Sequence, residues 1–141
     1  MQSLGARYEA HYREQSMAQD SDIKLLGVQE LKQLYRLPDV QVVDVRLPFD
    51  FYGGRVPGSV SVPGVSVATC VGTIPASSKL VIVADDNKAG ALAARVALQA
   101  GYIDVSVLDG GIDAWFDADM PTETISDGIP SPLSNRDQAG Q

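Results

Sequence analysis

The apolar run Leu80-Val81-Ile82-Val83 ends at Ala84 and gives way to the polar stretch Asp85-Asp86-Asn87-Lys88-Ala89-Gly90. A short buried strand that breaks into such a turn before a helix is where α/β enzymes often present a nucleophile, because ligands gather at the carboxyl ends of the strands. Ala84 brings only a methyl group, which has no lone pair to attack with. Asp85, Asp86 and Asn87 could offer oxygen ligands to a hard cation, yet three adjacent oxygens fall short of a cage, and a solvated turn is the preferred reading. Reactive groups elsewhere are few. Cys70 is the single cysteine, and in Val67-Ala68-Thr69-Cys70-Val71-Gly72 it reads as a small packed residue before it reads as a sulfur carrier. His11, the single histidine, has no partner visible in the sequence and is placed on a solvated helix face. Asp44 and Arg46 stand at the end of a strand, where a ligand could bind, and are read as an ion pair that fixes the loop. Gly110-Gly111 could cradle an anion and is read as permitting a tight strand-to-helix turn. Trp115 is read as a core plug.

These residues need a scaffold. A chain of 141 residues, 45% hydrophobic and 21% charged, suits one soluble domain with one core. Its net charge of −7 disfavours nucleic acid and anionic membranes as partners. The longest apolar runs fall far short of the ~20 residues that span a bilayer. The N-terminus has no apolar stretch like the core of a secretion signal, which predicts a cytoplasmic protein. One cysteine and one histidine leave no internal disulfide and no cluster of Cys or His for a metal, so neither metal nor cofactor is expected.

The elements follow from periodicity and punctuation. Residues 5 to 18 are read as a helix with Tyr8 and Tyr12 on one side. A short strand at Lys24-Leu25-Leu26 leads into an amphipathic helix with Val28, Leu31, Leu34 and Tyr35 at helical spacing. Val40 to Val45, Val60-Ser61-Val62, Leu80 to Val83 and Asp104 to Leu108 read as strands, rich in β-branched residues and bounded by Pro and Gly. Ala91 to Ala100 supplies a helix with Leu92, Ala93, Val96, Ala97 and Ala100 as its apolar face and Gly101 as its stop. A last short helix carries Ala114, Trp115 and Phe116. Alternating strands and helices give an α/β domain with helices on both faces of a parallel sheet. From Pro121 onward the composition turns polar and Pro-rich, as in a mobile tail.

Three ordered blocks carry a resemblance. Asp44-Val45-Arg46 is followed by Pro48, Asp50, Phe51 and Gly54-Arg55-Val56-Pro57-Gly58-Ser59, and then Gly101-Tyr102 leads to Val105 through Trp115, including Asp109-Gly110-Gly111. Together they resemble the rhodanese family over roughly Leu26 to Pro121, with Arg55 where the family usually has histidine. The resemblance implies a central five-stranded parallel sheet with helices on both faces. It also implies a cysteine thiolate that takes sulfur from a donor such as thiosulfate, within a loop whose backbone N–H groups stabilise the anion. Counted back from Gly101-Tyr102 without a gap, that cysteine falls on Ala84 and its loop on Asp85 to Gly90. Asp85 then stands where active loops often carry arginine, and Asp86 adds a second carboxylate. Lys88 offsets part of that charge.

The sequence therefore reads as an N-terminal helical extension (1–22), a rhodanese-like domain (23–122) and a flexible tail (123–141). The function expected is that of a catalytically inactive binding, scaffolding or regulatory module. Its vestigial loop, Ala84 through Gly90 with Arg55, would meet a protein partner bearing a basic patch, and Asp85 or Asp86 would fold back to fill the anion site. Self-association through the N-terminal helix is compatible with this. The alternative is a thiosulfate or persulfide sulfurtransferase, with Cys70 as carrier or as a Cys-to-Ala variant at Ala84 of an active parent.

Overall fold

The computed structural model describes residues 23–64, 66–67 and 73–124. The helix expected over 5 to 18, with Tyr8, His11 and Tyr12, lies outside them, as do Cys70 and the chain beyond 124. The order of elements is β1 (Ile23–Leu26), α1 (Val28–Leu34), β2 (Val40–Asp44), α2 (Pro48–Gly53), β3 (Val60–Ser61), β4 (Lys79–Val83), α3 (Asn87–Gln99), β5 (Asp104–Leu108) and α4 (Gly111–Asp117). All strand pairs are parallel, in the spatial order β1-β5-β4-β2-β3. This is the five-stranded α/β sheet that the resemblance implied. No helix among the described residues is long and apolar enough to cross a membrane.

Alternation along the strands sorts the core into two layers. Leu80 and Ile82 of β4, Val43 of β2, and Val105 and Val107 of β5 face α3, where Ala93, Ala94 and Ala97 meet them. Val81 and Val83, Val42 and Leu108 face the other way, onto Leu31 of α1 and Ile112 and Trp115 of α4. Both faces of β4 are therefore fully buried from Leu80 to Val83, which explains its uninterrupted apolar run. Trp115 is 0% exposed, edge-on to Tyr35 at 5.6 Å, and its indole N–H donates to the Pro121 carbonyl at 2.6 Å.

Two elements differ from the sequence reading. Helix α3 begins at Asn87, four residues before the expected Ala91, because Asp86 caps it and Gly90 is wanted inside it. A Cβ on Gly90 would lie 2.5 Å from Val107 Cγ1, so glycine here lets the helix lie close on β5. The buried face of α3 is accordingly Gly90, Ala93, Ala94 and Ala97, and Leu92 is turned out, 52% exposed. The second difference is α2, which the Pro48 punctuation had concealed. Proline at the first helical position starts it, with Leu47 as its extended N-cap.

At the C-terminal side the described residues end at Thr124. Glu123 exchanges two backbone hydrogen bonds of 3.0 Å with Arg55, and its carboxylate accepts the Gly58 N–H at 2.9 Å.

Candidate functional site

The sheet order sets where a site can form. The connection leaving β4 runs toward β5 and that leaving β2 runs toward β3, so the chain parts on opposite sides above the carboxyl ends of these two neighbours. Such a switch point opens a crevice. Ala84 follows β4 at this point, and Val45, Arg46 and Leu47 leave β2 beside it, with the Val45 N–H donating to the Val83 carbonyl at 2.9 Å.

Ala84 is 1% exposed. Its carbonyl accepts the Ile112 N–H at 2.9 Å, which ties the strand end to the first turn of α4. Gly111 packs so closely that a Cβ there would sit 2.5 Å from the Asp85 carbonyl oxygen and 2.8 Å from that of Ala84, at φ +69. Glycine at 111 is thus required twice, by its conformation and by the approach of the neighbouring backbone. The sequence reading of Gly110-Gly111 as a tight turn stops short of this second requirement.

Only Asp85 and Asp86 remain as loop between Ala84 and the helix. Residues Asn87 through Gly90, read in the sequence as part of a six-residue loop, form the first turn of α3. Asp86 is the N-cap: its carboxylate accepts the Ala89 N–H at 2.8 Å and its carbonyl the Gly90 N–H at 3.0 Å. A carboxylate of the chain itself therefore occupies a donor of the helix N-terminus that would otherwise favour an anion. Asp86 makes this N-cap contact, and both Asp85 and Asp86 are exposed. Asn87 pins the other side. Its Nδ2 donates to Asp109 Oδ1 and its Oδ1 accepts the Gly110 N–H, both at 2.8 Å, so the start of α3 is fastened to the turn before α4.

Asp44 and Arg46 form a buried ion pair, 0% and 6% exposed. The Arg46 Nε lies 3.0 and 3.1 Å from the two carboxylate oxygens, Nη2 donates to Oδ2 at 2.8 Å and to the Gly54 carbonyl at 2.8 Å, and the Arg46 backbone N–H donates to Oδ1 at 3.0 Å. The pair closes the β2 exit onto the end of α2. Arg55, grouped with the loop in the sequence reading, instead lies over the Phe51 ring at 4.5 Å and 3.4 Å from Glu123. Among the described residues no hydrogen bond or ion pair joins it to residues 84–90. Its Nε and Nη1 are buried without a hydrogen-bond partner, which leaves the Glu123 charge and the Phe51 ring to compensate it.

Beside the Ala84 turn lies an apolar groove of about 510 Å³. Val45 and Leu47 form one wall, Pro63 and Gly64 close one side as the chain leaves β3, and Ala89, Leu92 and Val96 of α3 form the opposite wall. Sequence periodicity puts Leu92 and Val96 on the apolar face of α3 and gives no sign of the groove; Val96 also packs against the core, and Leu92 does not. No group of three or more His, Cys, Asp or Glu among the described residues could hold a metal ion.

Comparison with known proteins fits this geometry. The family model described as "Rhodanese-like domain" matches residues 27–118. The thiosulfate sulfurtransferase GlpE of Shewanella oneidensis is 32% identical over 98 residues, covering 70% of this chain and 97% of its own length. GlpE of Pseudomonas aeruginosa is 34% identical over 101 residues, covering 72% and 90%. Among solved structures, a Rhodopseudomonas palustris protein described as a possible tyrosine phosphatase superposes with a TM-score of 0.66 at 27% identity, covering 79% of this chain and 92% of that one. The rhodanese-like domain of an Anabaena protein reaches the same TM-score of 0.66 at 23% identity, covering 77% and 83%.

Proposed function

The chain belongs to the rhodanese-like family, and from that premise we propose that it is a member without sulfurtransferase catalysis, acting in the cytoplasm as a binding, scaffolding or regulatory module for a protein partner. The observation that carries this is Ala84, a buried residue directly after β4, at the position where the resemblance, counted back from Gly101-Tyr102, implies the family's reactive cysteine. Sulfur transfer through a persulfide needs a thiolate that attacks the donor and then holds the sulfur. A methyl can do neither. The surroundings support the same reading, because Asp86 takes up the Ala89 N–H and Asp85 adds an exposed carboxylate at the mouth. An approaching anionic donor meets like charge where an active site presents open N–H groups.

GlpE activity in the relatives gives the competing reading, in which this chain carries sulfur on Cys70, outside the described residues. Incubation of the intact protein with thiosulfate, followed by mass spectrometry under non-reducing conditions, separates the two. The expected mass is unchanged. A gain of one sulfur atom that disappears in Cys70→Ser would replace the proposal with a carrier function.

A further inference from the structure

We propose that the groove between the β2 exit and α3 docks a segment of a partner protein in which an apolar anchor is flanked by lysine or arginine. The inference rests on the reading of the domain as a binding module and specifies the chemistry of what it binds. A groove of about 510 Å³ falls in the range of sites that enclose a small number of side chains. Its two lips are Leu47, 68% exposed, and Leu92, 52% exposed, and Phe49, 86% exposed, follows Leu47 in the first turn of α2. Single exposed apolar residues are ordinary, but large ones gathered at one opening mark an interaction surface.

Charge selects the occupant. The Asp50 N–H donates to the Leu47 carbonyl at 3.0 Å, so Asp50 belongs to the turn that Leu47 caps. Across the groove, Asp86 holds the Ala89 N–H, and Asp85, exposed, precedes it. Two arginines near this end of the sheet are already engaged, Arg46 by Asp44 and Arg55 by Glu123. Lys88 is left to oppose the carboxylates. Apolar walls with the Asp86 carboxylate bound at Ala89 on their edge, in a chain of net charge −7, favour a segment that sets a cation beside its apolar anchor, and they repel an acidic one. A second copy of this chain is a poor occupant, since it brings the same net charge of −7 and the same acidic rim.

The test uses the full chain and fluorescence anisotropy with a labelled peptide of about ten residues, carrying a Leu-Leu pair between lysines. Two control peptides replace the lysines by glutamate or the leucines by serine. Saturable binding is expected for the first peptide alone. It should weaken at least about tenfold in Leu92→Asp and in Leu47→Ser, both exposed positions that leave folding intact by circular dichroism. It should weaken severalfold in Asp85→Lys, and again when ionic strength rises from about 0.05 to about 0.5 M. Equal binding of the glutamate peptide, or no binding of the lysine peptide, overturns the proposal. So does a dimer by sedimentation that Leu92→Asp dissolves, because the groove is then covered by a second copy. Absent peptide binding without sulfur transfer removes the docking site and leaves the inactive reading standing; sulfur transfer removes that reading itself.

Discussion

Arg46→Ala should lower unfolding free energy by about 3–5 kcal/mol, the usual consequence of stripping one partner from a buried ion pair. Asp44 is 0% exposed and would be left with the residue 46 backbone N–H as its partner. The Gly54 carbonyl would lose its donor as well, loosening the link between β2 and the end of α2. Against a typical total of about 5–15 kcal/mol, that is a large share. The double variant Asp44→Asn/Arg46→Leu should recover part of the loss, since no buried charge is then orphaned. Urea unfolding at unchanged m-value measures both. A loss below about 1 kcal/mol in Arg46→Ala would place the pair among those relaxed by solvent.

The second large effect concerns reinstalled chemistry. Ala84→Cys alone is expected to remain close to background in sulfur transfer, because Asp85 and Asp86 raise the thiol pKa and repel an anionic donor. Adding Asp85→Arg and Asp86→Ser should raise the rate at least about tenfold over the single variant, the equivalent of one pKa unit at the thiol. Serine at 86 suits the comparison, since it removes the charge and still caps α3 toward the Ala89 N–H. Thiocyanate formation from thiosulfate and cyanide reads the difference. Equal rates in the single and triple variants would show that the acidic turn is no barrier.

Most of the sheet was legible because its strands are short, β-branched and bounded by Pro and Gly, and because β4 and β5 alternate between two buried layers. Asp44 and Arg46 were legible as a pair because they lie two residues apart at a strand end. The loop was misjudged in length, since Asn87 and Gly90 are turn residues by propensity. An aspartate cap and a glycine demanded by Val107 made them helical. Contacts between residues far apart in sequence left no local trace. Asn87 reaches Asp109 and Gly110, Arg55 reaches Glu123, and Gly111 nests on the Ala84 and Asp85 carbonyls only once the sheet has assembled. Leu92 followed the apolar period of its helix, and the period cannot tell a core neighbour from the wall of a groove.

The central claim is that the chain has no working sulfur nucleophile. Steady-state thiocyanate formation by the unmodified protein, with thiosulfate and cyanide and beside Cys70→Ser, tests it most directly. Rates for both proteins should match the reaction without protein. Turnover above that background by the unmodified chain, abolished in Cys70→Ser, would contradict it.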